Sequence, residues 1–489
     1  MILTIVIIIL TVIFVNKYLL NNGGKNDLRK VQGPFNLPLL GALYAFDKER
    51  FHKSFDKFYD KYKDFYFIKF GQHDCIVLNS PKLIKQVVIE QSDSVFERFH
   101  TPSIKRYAQG KSILGCSPDE WKKLRSFIVI SFSKNKMGQQ VLDKIFHTQY
   151  LKFENHIKKL IKSNNNIVTL EPEFKRLTIS IIFNFQFGTD LEFTDPLIDS
   201  LLVCTEKIIA SCQKASDLMP IFEIFTSYKD IDGVVKEMYA LVKPFLEKYL
   251  KQHDRNNPKC ALDHMINCIL DQDEPKLITY EHLPHFLMDM FIGGTESTAR
   301  TMDWFTLMMT NRKEMQDRIR TELLDVGIRL PVLVDKQKYP LLNASIKEIH
   351  RLRPIQPIIA SRVVNDPIVL KHECSAKGES YTIPVGTLII PNAHSFNFDP
   401  QYHKDPLTFN PNRYIGDNPE ILHMTFDIGI RTCPFMSFAI DELFIIFSRL
   451  FQSFEFQPID NTPISEEAFT INSIRPKQWS CQVIERDHK

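Results

Sequence analysis

The chain has 489 residues, of which 44% are hydrophobic, and its formal net charge is +3 at pH 7. This small charge argues against a nucleic-acid partner, because nucleic-acid-binding proteins carry a basic excess. The nine cysteines are irregularly spaced and include no C-x-x-C pair, which argues against a disulfide framework or a zinc site and indicates a reducing compartment. A chain of this length normally forms two or more domains.

An apolar run from Ile2 to Val15 opens the chain and continues, with one interruption, to Leu20. A helix over this stretch reaches roughly 28 Å, which is close to the hydrocarbon thickness of a bilayer. A cleaved signal peptide is the alternative, but no basic residue precedes the run and no small-residue cleavage pattern follows it. We therefore predict an uncleaved anchor at 1–20 with the body in the cytosol, because basic residues lie after the run: Lys25, Arg29 and Lys30.

Residues 21–41 form a basic, proline-containing linker in which two prolines favour a stiff, extended segment. Aromatic residues at helical spacing then predict a helix from Lys48 to Tyr62. Two short apolar runs, 65–70 and 75–78, flank a turn-like segment and predict a β-hairpin. This region is expected to be the small β-containing part of the protein.

Trp121 and Arg125 form a W-x-x-x-R pattern, which places both side chains on one face of a predicted helix. An indole N–H and a guanidinium fork are both donors, so together they can hold a carboxylate. The alternative is an anchoring tryptophan beside an unrelated surface arginine. The stretch that follows, 140–280, shows helical patterns and no catalytic motif.

A long buried helix is predicted from Leu283 to Met309, with Gly293 and Gly294 in its middle. Each glycine costs a helix about 1 kcal/mol relative to alanine, so the pair indicates a close approach or a local distortion. The Ser297 hydroxyl, one turn later, can bond to the Gly293 carbonyl and bend the helix. The alternative is a packing glycine pair, which leaves the acid Glu296 in an apolar helix unexplained.

Two short patterns and one single arginine follow, and all are weak signals by themselves. Glu348 and Arg351 form E-x-x-R, a pair that is common on any solvated helix. Arg362 follows two prolines that stop this helix, and Arg413 lies in a P-x-R-Y pattern. Near the C-terminus, two strand-like segments suggest a terminal hairpin.

Phe426, Gly429, Arg431 and Cys433 form F-x-x-G-x-R-x-C. The glycine allows a sharp backbone turn beside a flat group, and the arginine brings positive charge near the sulfur. Because proline is favoured at the first helical position, Pro434 predicts that Cys433 is the N-cap of a long helix. There the helix dipole would lower the thiol pKa and favour the thiolate, the form that binds iron. The alternative is a buried, inert cysteine beside a turn.

Taken in this order, the five patterns resemble those of the cytochrome P-450 family in its membrane-anchored microsomal form. The resemblance runs from about Gly33 to the C-terminus. It implies a fold that is mainly α with a small β region, behind an N-terminal transmembrane helix. It also implies that residues 42–489 form one haem domain, which overrides the division expected from length alone.

The resemblance also implies roles for particular residues. Cys433 corresponds to the axial thiolate ligand of the iron in haem b, and Glu296 and Ser297 correspond to the pair that relays protons to bound oxygen. The cofactor-binding side chains that it implies are Trp121, Arg125, Arg362, Phe426 and Arg431. A buried charge network that holds the haem loop is implied for Glu348, Arg351 and Arg413.

The implied activity is that of a monooxygenase that inserts one oxygen atom of dioxygen into a lipophilic small molecule. Electrons would come from an NADPH-dependent flavoprotein reductase at the endoplasmic reticulum membrane. Phe435 stands where the family has glycine, and Ser297 where it usually has threonine. These departures keep two alternatives open: a haem-thiolate binding protein with little turnover, and a peroxide isomerase or dehydratase that uses the same haem.

Overall fold

The computed structural model describes residues 27–132, 138–212, 217, 226–273, 277–327, 330–372, 379–416, 424–470 and 473–486. The anchor predicted at 1–20 lies outside these ranges, as do the first residues of the linker. None of the described helices is long and apolar enough to cross a membrane.

The described part of the linker runs beside a strand of the body. The N–H of Phe67 donates to the carbonyl of Gln32 (2.9 Å), and the N–H of Lys69 donates to the side chain of Asn36 (2.8 Å). A Cβ at Gly33 would collide with the carbonyl of Phe67. The backbone of the linker therefore reaches the body only because a glycine stands at this position.

Helices make up most of the described chain, as predicted. Numbered in chain order, the α-helices are α1 (Phe51–Tyr62), α2 (Pro81–Val88), α3 (Pro102–Ala108), α4 (Pro118–Ser131), α5 (Gln139–Ser163), α6 (Glu171–Phe187), α7 (Pro196–Ser211), α8 (Lys229–Gln252), α9 (Ala261–Leu270), α10 (Leu283–Thr310), α11 (Lys313–Asp325), α12 (Pro340–Leu352), α13 (Ala393–Asn397) and α14 (Met436–Ser453).

The strands are short and form small sheets. They are β1 (Phe65–Phe70), β2 (His73–Leu78), β3 (Ile167–Val168), β4 (Arg362–Val363), β5 (Ile368–His372), β6 (Glu379–Ile383), β7 (Leu388–Pro391), β8 (Phe454–Gln457), β9 (Ala468–Thr470), β10 (Ile474–Pro476) and β11 (Cys481–Glu485). The largest described sheet has the order β1-β2-β7-β4. Its strands β1 and β2 form the predicted hairpin, and β7 pairs with β2 in parallel. The fold class is therefore mainly α with a small β region.

The predicted terminal hairpin is wrong. Strand β10 pairs with β9, whereas β11 pairs with β8 and β3. Phe454 and Phe456 are buried on one face of β8, and Val483 of β11 lies opposite Phe456. A strand pairs where its apolar face can be buried, so the partner of β11 is the strand that directly follows α14 rather than its neighbour in sequence.

The long helix α10 begins at the predicted residue and ends one residue after the predicted one. It packs closely on α6, where a Cβ at Gly294 would lie 2.7 Å from the Cδ1 of Ile182. The side-chain amide of Gln186 donates to the carbonyl of Leu287 (3.0 Å) across the same contact. Helical structure continues through both glycines, so close approach, rather than an interruption of the helix, explains Gly294.

Because of Asp303 on α10, we predict that the stability of the folded protein depends measurably on pH. Burial raises the pKa of Asp303 to about 7, although Arg300 and the indole N–H of Trp479 (2.8 Å) act in the opposite direction. Between the ordinary value of 3.8 and about 7, the folded protein therefore holds a proton that the unfolded chain has released. The contribution of Asp303 to the free energy of unfolding is therefore present at low pH. It is lost as the pH rises through this window, and the loss is roughly 4 kcal/mol at most.

The test compares wild type with Asp303→Asn, which cannot ionise and keeps an acceptor for Trp479. We expect the apparent thermal midpoint of the variant to fall less than that of wild type between about pH 5 and about pH 8. Other titrating groups act on both proteins and cancel in the comparison. Equal pH slopes for the two proteins would contradict the assignment.

Candidate active site

A buried cavity lies between α4, α10, α14 and two connecting segments, 355–360 and 425–435. Most of its wall is apolar. The α10 side includes Phe286, Met290, Gly293, Gly294, Ser297 and Thr298. Facing residues from the other elements include Trp121, Arg125, Ile355, Phe426, Arg431, Cys433 and Phe438. The cavity therefore joins side chains from three of the five patterns found in the sequence.

The loop that carries Cys433 is closed by its own backbone. The N–H of Cys433 donates to the carbonyl of Phe426 (2.8 Å). Gly429 has a φ of +70°, and a Cβ at this position would also lie 3.3 Å from the carbonyl of Val88. The left-handed turn thus favours glycine in this motif, and a side chain here would also press on the C-terminal end of α2.

The sequence predicted that Cys433 is the N-cap of α14, and this prediction is wrong. The helix begins at Met436, and Phe435 is its N-cap, because Cys433 and Pro434 belong to the preceding turn. Burial raises the pKa of the Cys433 thiol, whereas the N–H of Phe435 and the charges of Arg125 and Arg98 act to lower it. The prediction that a helix N-terminus lowers the pKa of the Cys433 thiol is therefore wrong for the polypeptide itself. The N–H of Phe435 and the two arginines only offset part of the rise in pKa that burial causes.

Several guanidinium groups crowd the edge of this cavity around one carboxylate. Arg98 and Arg362 both ion-pair with Asp427, at 2.9 and 2.6 Å. The guanidinium of Arg431 lies 3.6 Å from the centre of the Trp121 ring, and its Nε donates to a backbone carbonyl. Burial, with Arg98 as the next cause, lowers the pKa of Arg431 to about 9. Positive charge is therefore in excess here.

The structure places Arg362 differently from the other predicted cofactor-binding residues. Trp121, Arg125, Phe426 and Arg431 line the cavity, whereas Arg362 is held behind it by Asp427. The sequence reasoning missed Arg98 and Asp427. Asp427 lies inside the cysteine motif, a position that could have drawn attention to it, but Arg98 is 329 residues away and no local pattern marks it.

Ser297 faces the cavity from α10. Its hydroxyl donates to the carbonyl of Gly293 (2.8 Å), the hydrogen bond that the sequence predicted. A Cβ at Gly293 would meet no atom within 4 Å, so the glycine leaves open space beside this hydroxyl. This part of α10 therefore combines a hydroxyl with room for a small molecule.

Glu296 does not line the cavity with Ser297. Successive residues of a helix point about 100° apart, so the two neighbours face different surroundings. The carboxylate of Glu296 pairs with Arg300 (2.8 Å) and lies 3.7 Å from Lys175. Burial opposes its ionisation, but these two cations hold its pKa below the usual value. In this structure the acid and the hydroxyl are not brought together.

Glu348 joins α12 to the chain before the cysteine loop. Its carboxylate receives two hydrogen bonds from Arg351, both 2.8 Å, and a third from the Nε of Arg413 at 3.3 Å. Arg351 also donates to the carbonyls of Asn397 (2.7 Å) and Pro406 (2.9 Å). The three predicted network residues, Glu348, Arg351 and Arg413, therefore lie together. They connect α12 to the segments that contain Asn397, Pro406 and Arg413.

The sequence profile described as Cytochrome P450 matches residues 31–479 of this chain. The chain belongs to the cytochrome P450 family. Enzymes of this family are haem-thiolate monooxygenases with haem b as cofactor, and this chain is accordingly a monooxygenase of that type.

Relatives cover almost the whole chain. Probable cytochrome P450 515A1 of Dictyostelium discoideum is 28% identical over 476 residues, which are 95% of this chain and 94% of that protein. Cytochrome P450 2J5 of Mus musculus is 26% identical and covers 94% of this chain and 92% of its own length. A zebrafish cytochrome P450 structure with progesterone has a TM-score of 0.79 at 22% identity, covering 89% of this chain and 99% of that one, and shows the shared fold.

The unpaired donors at the cavity edge fit the carboxylates of haem b. Four buried nitrogen atoms have no hydrogen-bond partner among the described residues: Nε of Arg98, Nε and Nη1 of Arg362, and Nη2 of Arg431. Buried donors normally find acceptors, and buried cations normally find anions. A ligand with two carboxylates would satisfy both needs.

Proposed function

We propose that Cys433 is the axial ligand of the haem iron and that the cavity above it is the substrate site of a P450 monooxygenase. The observation that carries this proposal is that the cysteine of the family motif borders the same apolar cavity as Arg98 and Arg431, each of which has an unpaired buried nitrogen among the described residues. Arg125 and Arg98 line that cavity, and their positive charges act on the sulfur.

Trp121, Arg125, Arg431 and Phe426 are the residues that would hold the cofactor from within the cavity, and Arg362 would do so from behind it. Arg98 joins this set, because it lines the cavity and shares Asp427 with Arg362. When bound, haem supplies the activation of dioxygen that lets one oxygen atom enter the substrate. The apolar wall excludes water during this chemistry.

The chain's own proton chemistry is proposed to centre on Ser297. Its hydroxyl is the polar side-chain group that α10 presents beside Gly293, and it can hold or pass a proton at Oγ. For Glu296 to take part, its carboxylate must leave Arg300 and rotate toward the cavity. We propose that it does so as a supplier of protons from the charged side of the helix.

We infer further that the substrate is a lipophilic small molecule, since Phe286, Met290 and Ile355 dominate the accessible wall. An NADPH-dependent flavoprotein reductase is the proposed electron donor, because the sequence contains no flavin or nucleotide motif of its own. The apolar run within 1–20 supports an anchor in the endoplasmic reticulum membrane with the body in the cytosol.

The test of the proposed function is spectroscopic first and catalytic second. The full chain, loaded with haem, is reduced and exposed to carbon monoxide, and we expect the red-shifted Soret band of a thiolate ligand. Oxygen insertion into lipophilic probes should then require the reductase and NADPH. A histidine-like band would refute the ligand assignment. Rearrangement or dehydration of an organic peroxide without reductase, with no oxygen inserted into a second molecule, would indicate the isomerase or dehydratase alternative.

Phe435 lines the cavity and also packs on a neighbouring aromatic ring. Its φ of −105° is ordinary for a residue with a side chain, so the position does not demand glycine. Its ring lies 5.2 Å from that of Phe132, which in turn lies 5.7 Å from Phe185. This packing argues against the alternative of a degraded enzyme with a blocked haem site.

Replacing Phe435 with glycine is therefore expected to weaken the protein. The variant loses an aromatic contact beside the cavity, which we expect to cost about 1–3 kcal/mol of stability and to speed haem loss. Haem transfer to apomyoglobin measures that loss, and Phe132→Ala is the matched control that removes the same contact from the other side. A gain in haem occupancy for Phe435→Gly would instead support the degraded enzyme.

A further inference from the structure

A buried carboxyl group on α10 is bonded to the loop that forms part of the cavity wall. Asp289 is only 8% exposed and lies one turn before Gly293. Its Oδ1 accepts from the hydroxyls of Tyr107 and Ser112, both at 2.7 Å. Its Oδ2 accepts from the backbone N–H of Ile113 at 3.0 Å. All three donors come from one short stretch of the chain.

This stretch ends α3 and enters the loop 109–117 before α4. Gln109 and Gly110 both have positive φ values, 48° and 72°, so the chain turns sharply away from α3. Ile113 and Leu114 then line the cavity. The N–H of Leu114 donates to the Ser112 hydroxyl (3.0 Å), which itself donates to Asp289. The apolar side chains of this loop are thus attached to α10 through one carboxyl group.

A further polar link between this loop and a neighbouring segment is weak by comparison. Lys111 ion-pairs with Glu281 at 2.7 Å, but both side chains are exposed, and exposed pairs contribute little. Asp289 is desolvated to the point that burial raises its pKa to about 7, although its three donors act to lower it. Removing its acceptors would leave the Ile113 N–H without a partner in an apolar wall.

We propose that Asp289 is a positioning residue that holds the loop 109–117 against α10 and thereby sets the width of the substrate cavity. The inference rests on the proposed function, because it takes this cavity for the substrate site. Asp289 itself borders the cavity beside Ile113 and Leu114, and its effect on the cavity width is exerted through these two loop residues.

Two variants separate hydrogen bonding from charge. In Asp289→Asn, the amide oxygen can accept from Ile113, and the amide NH2 can donate to the Tyr107 or Ser112 hydroxyl, since hydroxyls both donate and accept. Asp289→Ala removes all three bonds. We expect hydrogen exchange in a peptide spanning 109–117 of the haem-loaded full chain to become about tenfold faster in Asp289→Ala and to stay within about threefold of wild type in Asp289→Asn.

The matched control is Asp303→Asn. Asp303 is a buried acid of the same helix whose pKa burial also raises to about 7, but it binds Trp479 and does not line the cavity. This control should leave loop exchange unchanged. Tyr107→Phe and Ser112→Ala each remove one donor, and they keep the test possible if Asp289→Ala does not fold.

Ligand size provides the functional readout. We expect Asp289→Ala to lose about tenfold more affinity for 4-phenylimidazole than for imidazole, because only the larger probe extends along the cavity wall. Unchanged loop exchange in Asp289→Ala, or exchange in Asp289→Asn as fast as in Asp289→Ala, would overturn the proposal. If the wild-type protein gave no thiolate-type carbon monoxide band, the proposed function would be refuted instead. The exchange measurements would still show whether Asp289 holds the loop.

Discussion

Replacing Cys433 with serine is expected to abolish the thiolate-type carbon monoxide band. The sulfur lines the cavity that Arg125 and Arg431 also border, and its loop is closed by the hydrogen bond from the Cys433 N–H to Phe426. A serine keeps that backbone bond and the size of the side chain, so the fold should survive. What it lacks is the soft, electron-donating thiolate that the proposed ligation requires.

Cys116→Ser is the matched control for this experiment. Cys116 is also buried, and burial raises its pKa to about 12, with Arg431 acting to lower it. It does not line the cavity, so its variant should keep the band and the haem content of wild type. A normal thiolate-type band in Cys433→Ser, or its loss in Cys116→Ser alone, would move the ligand to another cysteine.

Replacing Glu348 with glutamine is expected to destabilise the protein by about 3–5 kcal/mol, because it leaves two buried guanidinium groups without their shared anion. Arg351 is nearly inaccessible to solvent, and Arg413 is little more exposed, so neither charge can be rehydrated in place. The N–H of Asn410 also donates to this carboxylate (2.9 Å), so the segment leading to Arg413 should loosen as well. The measurements are the yield of haem-loaded protein and its apparent thermal midpoint.

An exposed ion pair of similar spacing provides the control. Lys243 and Glu247 lie one turn apart on α8 at 3.7 Å, and both side chains are about half exposed. Glu247→Gln should cost less than about 1 kcal/mol, because water replaces most of what is lost. If Glu348→Gln cost no more than this control, the buried network would not be what holds the segment before the cysteine loop.

Local sequence determined the features that depend on near neighbours in the chain. The start of α10 and the β1–β2 hairpin were predicted correctly, since periodic apolar residues and turn residues act over a few positions. The hydrogen bond from Ser297 to Gly293 was predicted for the same reason, because one turn of helix brings the two residues together. The family patterns identified the cysteine loop, and the profile match confirmed the family.

Two expectations failed, those for the partner of β11 and for the start of α14, and the pair Arg98–Asp427 was missed. The partner of β11 is decided by the buried face that β8 offers, not by the preceding strand. Arg98 reaches Asp427 only in the folded chain. The start of α14 at Met436, rather than beside Cys433, depends on the turn that closes the cysteine loop.

The sequence by itself therefore determined the family, the long helix and the residues of the cysteine motif. Helix geometry turns Glu296 away from the cavity and places Arg300 one turn later, whereas tertiary structure alone decided that Lys175 of α6 also lies beside its carboxylate. It also decided that Asp289 is bonded to the loop 109–117. The physical reason is the same in both cases. A buried carboxyl group is stable only beside donors or cations, and here Lys175 and the loop 109–117 come from parts of the chain that no local pattern connects to α10.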